Sequence, residues 1–382
     1  MDLRFSADER AFRADVRAFI GAELDPALRR KLAEHRALTK GEIVGWQRRL
    51  HARGWATPSW PAEHGGPGWS VVQRWIFLDE LHRAPAPEPL SFNVNMIGPV
   101  LIAYGTPGQQ RRFLPRIARL DDWWAQGFSE PGAGSDLAAL KTRAVRDGDH
   151  YVVSGQKAWQ GMAQHADWMF TLVRTDPAAK PQAGISMLLV DLRSPGVGVR
   201  PIATLDGRHE VNEVFLDEVR VPAALRVGDE NRGWEIAKYL LGHERTGIAR
   251  IGMTQRLLAR AKGLSSEPAL RERAALIEAE LKALEITQLR LLDAMRQGHR
   301  GPDARASILK IKGTELRQAA SELLLEAAGR RAWRAAADEF DALAPAETTI
   351  ASTYFTLRAA SIYGGSNEVQ KNILAKTVLG LR

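Results

Sequence analysis

Residues 128–136 read Phe-Ser-Glu-Pro-Gly-Ala-Gly-Ser-Asp. A Ser and a Ser-Asp pair flank two glycines, with a Pro that stiffens the entry. Such a loop can turn successive backbone N–H groups toward one point, and glycine allows a ligand close to the chain. That suits a phosphate or another electron-rich group, although a glycine-rich turn can also simply join two strands. Two further stretches sharpen the reading. Residues 155–159 are Gly-Gln-Lys-Ala-Trp, and residues 362–368 are Ile-Tyr-Gly-Gly-Ser-Asn-Glu.

A chain of 382 residues is too long for one small core, so two or three packed subdomains are expected. Its 45% hydrophobic and 26% charged residues are ordinary for a soluble globular protein. With no cysteine, disulfides, thiolate metal sites and cysteine nucleophiles are excluded. The nine histidines show no metal-ligand spacing. The first ten residues are charged and lack an apolar signal-peptide core, and no apolar run approaches the length of a membrane span. A cytoplasmic location is therefore expected, with no membrane partner. Net charge is +8, from 53 basic and 45 acidic residues. The basic residues are scattered pairs with acids between them and no nucleic-acid-binding motif beside them. The surplus suits a polyphosphate ligand or an acidic protein partner better than nucleic acid.

Along the chain, helical periodicity comes first. Ser6 and Glu9 form a capping-box pattern, with Phe12, Val16 and Phe19 on one helical face. Helices are also expected over 44–50 and 71–81, with a loop at 61–68. Between about Asp122 and Val227 the texture changes. Runs at 151–153, 168–173, 185–190 and 211–215 are rich in β-branched and aromatic residues and are separated by turns such as Asp147-Gly148-Asp149. After Gly233, long Ala/Leu/Arg-rich helical stretches return. The order predicts an α+β class with segregated elements.

In this order and spacing, the three motifs resemble those of the acyl-CoA dehydrogenase family of flavoenzymes. The likeness extends from the 61–68 loop to Leu379. It implies an N-terminal helical domain (1–121), a middle β-barrel (122–230) and a C-terminal four-helix bundle (231–382). It also implies FAD bound between the barrel, the bundle and a neighbouring subunit. In that family a carboxylate takes the α-proton of an acyl-CoA while the β-hydrogen leaves as hydride to flavin N5. By resemblance, Gln126, Phe128 and Ser129 line the isoalloxazine, Trp159 covers one face, and Ser135 reaches the cofactor phosphates or the thioester. After that Trp the family usually carries a small or apolar residue and then a hydroxyl residue near N5; here Gln160 and Gly161 take those places, which leaves the Gly161 N–H as donor. Ser366 and Glu368 match positions near the FAD phosphate and ribose, and also stand where an N-cap would precede a helix over 369–379. Many members place the base directly after the Tyr of the C-terminal motif. Here Gly364 succeeds Tyr363, so these two are left as substrate contacts. A subset places the base before an Arg on a bundle helix. The matching pair is Glu244-Arg245, which makes Glu244 the expected base and Arg245 a residue that holds the site's electrostatics or contacts the substrate.

Two further features that homotetramers of the family donate across the dimer interface are missing. One is an Arg followed by Phe-Gly; here 260–266 reads Arg-Ala-Lys-Gly-Leu-Ser-Ser. The other is a Gln ahead of paired glycines; here 323–329 reads Leu-Leu-Leu-Glu-Ala-Ala-Gly. A hetero-oligomer with a second subunit of the same family is expected, as in bacterial heteromeric types such as the pimeloyl-CoA dehydrogenase large subunit; otherwise the chain forms a homotetramer or homodimer. The implied electron acceptor is an electron-transfer flavoprotein. An oxidase of the same fold, or a non-catalytic subunit, are the alternatives.

Overall fold

The computed structural model describes residues 4–243, 249–299, 303–333 and 345–381. Helices α1 (Ala7–Glu23), α2 (Pro26–Ala33), α3 (Lys40–Ala52), α4 (Val71–Arg83), α5 (Gly98–Tyr104) and α6 (Pro107–Arg119) precede the sheet. Its strands are β1 (Trp124–Gly127), β2 (Arg143–Asp147), β3 (His150–Gly161), β4 (Trp168–Arg174), β5 (Ile185–Asp191), β6 (Val197–Ile202), β7 (Val211–Pro222) and β8 (Arg226–Val227). Then come α7 (Gly233–His243), α8 (Ile251–Leu264), α9 (Pro268–Arg296), α10 (Ala304–Ala328), α11 (Ile350–Arg358) and α12 (Asn367–Val378). The α+β class read from the sequence is the class observed, with helices on either side of the sheet segment in chain order.

Two compact units form. One comprises Gln47–Gly68 and Pro89–Glu244 and holds the sheet. The other gathers Met1–Trp46, Trp69–Glu88 and Arg245–Arg382 and is helical.

In the sheet unit the strand order is β6-β7-β3-β2-β4-β5-β8, with β1 parallel to β4 off this path. The four expected strand runs lie in β3, β4, β5 and β7. Strands β4 and β5 are buried at every residue but the last, which is why they read as continuous apolar runs rather than alternating ones. Trp124 and Trp168 stack at 5.6 Å, and Phe113 of α6 meets both edge-on at 5.3 and 5.2 Å. Asn93 ties the segment before α5 to β1: its Nδ2 donates to the Asp122 carbonyl (2.8 Å), and its Oδ1 accepts from the Trp124 N–H (3.0 Å).

In the helical unit, the capping box expected at α1 is present, with Ser6 Oγ accepting from the Glu9 N–H and Glu9 accepting from the Ser6 N–H. Arg17 of α1 donates to both oxygens of buried Glu80 on α4, at 2.7 and 3.1 Å. Val72, Trp75 and Ile76 of α4 pack with Leu292 of α9. Helices α8, α9 and α10 enclose a second core that includes Leu257, Leu281, Leu309, Leu316 and Leu324.

Candidate active site

The glycine-rich loop begins where β1 ends. Gly127 leaves no room for a side chain, since a Cβ there would stand 2.6 Å from Thr171 Oγ1 and 2.7 Å from Met169 Sδ. Thr171 Oγ1 instead donates to the Gly127 carbonyl at 2.7 Å. Next, Phe128 is buried and packs edge-on to Phe170 at 5.8 Å. Ser129 is half-buried, and its carbonyl accepts the Ala158 N–H at 2.9 Å. Gln126 is half-buried on β1, opposite Phe170. Ser135 is exposed on the loop.

What fixes the loop is a pair that sequence reasoning did not assign. Lys157 Nζ, fully buried, donates to Glu130 Oε1 (2.8 Å), the Leu172 carbonyl (2.7 Å) and the Phe128 carbonyl (3.3 Å). Its three protons thus have three acceptors. Glu130 also accepts the N–H groups of Lys141 (2.6 Å) and Thr142 (2.9 Å). One ion pair therefore clamps the loop to β3 and β4. Burial alone would raise the Glu130 carboxyl, but Lys157 and the N–H donors more than offset it and hold it below its ordinary value. Burial pushes the Lys157 ammonium down to about 8 against the pull of Glu130. Both are charged at neutral pH. The available signal was the Lys inside the 155–159 motif; its partner 27 residues earlier had no local pattern to reveal it.

The pairing of β3 with β7 slips between Lys157 and Gln160, and the slip sets how the next side chains point. Trp159 is left in the left-handed region (φ 69°) with 61% of its surface exposed. A bulky residue adopts that conformation at a cost of about 1–3 kcal/mol. Gln160 turns inward to 2% exposure. Its Nε2 donates to the Ser129 carbonyl at 3.4 Å, whereas its Oε1 has no hydrogen-bond partner among the described residues. A Cβ on Gly161 would meet the Phe92 ring at 2.9 Å. The ring of Phe92 therefore leaves little room for a side chain at position 161.

The C-terminal motif lies in the helical unit. Tyr363 is half exposed, and Gly364 and Gly365 both adopt positive φ (65° and 82°). Ser366 caps α12, its Oγ accepting the Val369 N–H at 3.3 Å. The helix starts at Asn367 rather than at the expected 369, because the cap residue comes directly before it. Glu368 is exposed in its first turn. Residues of α10 hold this segment. Lys310 Nζ donates to the carbonyls of Ala360 and Tyr363, the latter at 2.9 Å. Thr314 Oγ1 donates to Asn367 Oδ1 (3.2 Å), and Ser307 Oγ to Gln370 Oε1 (2.8 Å).

Within the sheet unit, the structure brings together Phe128, Ser129, Trp159, Gln160 and Gly161 around the β3 slip. Within the helical unit, Tyr363, Gly364, Ser366 and Glu368 form one turn. Glu244 and Arg245 lie outside the described residues.

This fold, of N-terminal helices, a middle sheet domain and a helical C-terminal domain, defines a class. The family models for the N-terminal, middle and C-terminal domains of acyl-CoA dehydrogenases match residues 6–121, 125–219 and 231–379. The chain belongs to the acyl-CoA dehydrogenase family, flavoprotein oxidoreductases of lipid metabolism. Among its relatives, the acyl-CoA dehydrogenase IpdE1 of Mycobacterium tuberculosis is 39% identical over 98% of both chains. FadE26 of the same organism is 34% identical over 100% of this chain and 99% of its own. Among solved structures, the Tcur3481-Tcur3483 steroid ACAD superposes with a TM-score of 0.88 at 33% identity, over the full length of both chains. The ChsE4-ChsE5 complex from Mycobacterium tuberculosis gives 0.84 at 32% identity, again over both full lengths. Among the described residues, no helix is long and apolar enough to cross a membrane.

Proposed function

We propose that the chain catalyses the FAD-dependent α,β-dehydrogenation of an acyl-CoA thioester to the trans-2-enoyl-CoA. The observation that carries this reading is the joint state of Trp159 and Gln160: an indole plane held exposed at a conformational cost, beside a buried amide oxygen with no donor among the described residues. A buried acceptor left unpaired costs about 1–3 kcal/mol, so the site fits a planar group bearing an N–H. A flavin ring is such a group. Gln126, Phe128, Ser129, Gln160 and the Gly161 N–H would hold its ring, and Ser135, Ser366 and Glu368 its phosphates and ribose. Bound FAD supplies a hydride acceptor.

The remaining work belongs to the chain. Glu244 takes the α-proton; the C–H electron pair released there becomes the new double bond as the β-hydrogen departs with its own pair. Tyr363, Gly364 and Arg245 hold the substrate. Electrons then pass to an electron-transfer flavoprotein. The test is the visible spectrum of the purified protein, alone and co-expressed with a second family subunit, before and after acyl-CoA. A yellow protein that bleaches, and a Glu244→Gln variant that stays yellow without bleaching, support the reading. A protein colourless in both preparations overturns the flavin assignment, and turnover by Glu244→Gln overturns the base.

A specific observation also favours a partner subunit. The Arg-Phe-Gly and Gln-Gly-Gly features are missing, and two similar structures bear two-subunit names. The chain works beside a second, related subunit that supplies the missing cofactor contacts. Stoichiometric FAD and turnover in the chain alone would remove this reading.

A further inference from the structure

Among the described residues of the helical unit, cations converge with fewer acids than would match them. Arg317 on α10 is 2% exposed, and neither its Nε nor its Nη1 has a hydrogen-bond partner among the described residues. Lys310, about two turns earlier on the same side of α10, is equally buried and spends two protons on backbone carbonyls. Arg250, just ahead of α8, lies 3.4 Å from Glu88 Oε1, which His82 Nε2 also contacts at 2.7 Å. Among the described residues, Glu88 is the acid that reaches Arg250 and Arg317. Burial alone would raise it, but Arg250, His82 and Arg317 together hold it well below the usual carboxylate range. Burial lowers Lys310 to about 8, aided by Arg317 and Arg250. Among the described residues, Arg250 and Arg317 thus share one carboxylate, with the Lys310 ammonium near both cations. An uncompensated buried guanidinium is costly, and buried donors without acceptors call for an anion.

Tyr363 connects this cluster to the substrate. Its carbonyl accepts from Lys310 at 2.9 Å, and the Lys310 ammonium stands 5.2 Å from its ring centroid. Arg250 and Glu88 keep 38% and 25% of their side-chain surface exposed, so the cluster is open on their side. We propose that Arg317, flanked by Arg250 and Lys310, is a specificity-determining site for a carboxylate borne by the acyl chain. The inference rests on Tyr363 contacting an acyl-CoA, as read above.

The experiment measures the affinity of the FAD-loaded protein, with its partner subunit if one is required, by calorimetry. Glutaryl-, adipoyl- and suberoyl-CoA are compared with pentanoyl-, hexanoyl- and octanoyl-CoA, and free adipate is a separate arm. At one length or more, the carboxylate ester should bind roughly tenfold tighter or better than its neutral match. Arg317→Met should erase most of that preference and Arg317→Lys should restore part of it; if Arg317→Met fails to fold, Arg250→Gln serves in its place. Adipate binding that weakens in the same variants supports the same anion site without the CoA. Equal affinities at every length, or a preference that survives Arg317→Met, would overturn the inference while leaving the acyl-CoA reading intact. Failure of all six esters to bind would overturn both.

Discussion

Lys157 and Glu130 set the site from beneath. They are the buried ion pair of the loop, with side chains 0% and 7% exposed, and every proton of the ammonium is used. Replacing such a pair by apolar residues can be neutral, whereas removing one member strands a charge. Lys157→Met should therefore cost about 3–5 kcal/mol in urea unfolding. The double variant Lys157→Met/Glu130→Leu should cost less than the sum of its parts, although the Lys141 and Thr142 N–H groups then lose their acceptor. The sign with pH comes from Glu130. Its folded value lies below the ordinary 4.5, so its contribution is fully present above that value and fades as pH falls through the lowered one. Unfolding free energy of the wild type should thus fall more steeply below pH 4.5 than that of Glu130→Gln. Parallel slopes would mean that the pair is not ionised in the folded protein.

At the scale of elements, what the sequence makes legible tracks how each element is buried. Strands β4 and β5 are apolar along their length and announce themselves. The short strands β1 and β8 do not, because four and two residues carry no period. Helix α10 reads only as part of a helical tract, and its function is hidden for a physical reason. The face that carries Ser307, Lys310, Thr314, Gln318 and Ser321 is polar although buried, or half-buried at Gln318, because it bonds backbone and side chains of the 357–370 segment rather than filling a core. Amphipathic patterning assigns such a face to solvent. The loop and the Tyr363 turn are legible because glycines, a Ser cap and a Trp occur there in a recognisable order. The β3 slip that exposes Trp159 and buries Gln160 is not, since register depends on the partner strand. Gln318 tests the α10 reading. Its Nε2 lies 3.0 Å from the Leu357 carbonyl, 3.1 Å from that of Arg358 and 3.1 Å from Ser361 Oγ. Gln318→Leu should cost about 1–3 kcal/mol in thermal or urea unfolding, the penalty of stranding those acceptors. It should also raise amide hydrogen exchange across residues 357–370 while leaving that of β3–β7 unchanged. Uniform acceleration in both places would point to global destabilisation instead.

At the scale of the whole molecule, the helical unit is assembled from three separated stretches of chain. Helices α1 and α4 belong to the N-terminal family domain, yet α4 packs on α8 and α9 of the C-terminal one, with α1 packed on α4. Trp75 and Ile76 of α4 meet Leu292 of α9, with Phe5 and Phe12 packed around them. The approach of α4 to α8 is close: a Cβ on Gly252 would stand 2.9 Å from the Cβ of His82. Charge takes the same path, since Arg296 at the end of α9 donates to Glu9 of α1 at 2.8 Å, and Arg250 reaches Glu88. Removing residues 1–88 would expose Leu292 and leave Arg250 without its carboxylate. Single hydrophobic contacts of this kind contribute about 1.5–3 kcal/mol each, against a total stability near 5–15 kcal/mol for a domain. A fragment spanning residues 231–382 should therefore be helical by far-UV circular dichroism but lack a cooperative thermal transition. Adding residues 1–88 in trans should restore cooperativity. A sharp, concentration-independent transition in the C-terminal fragment alone would show that α8–α10 are self-sufficient and that α1 and α4 merely decorate them.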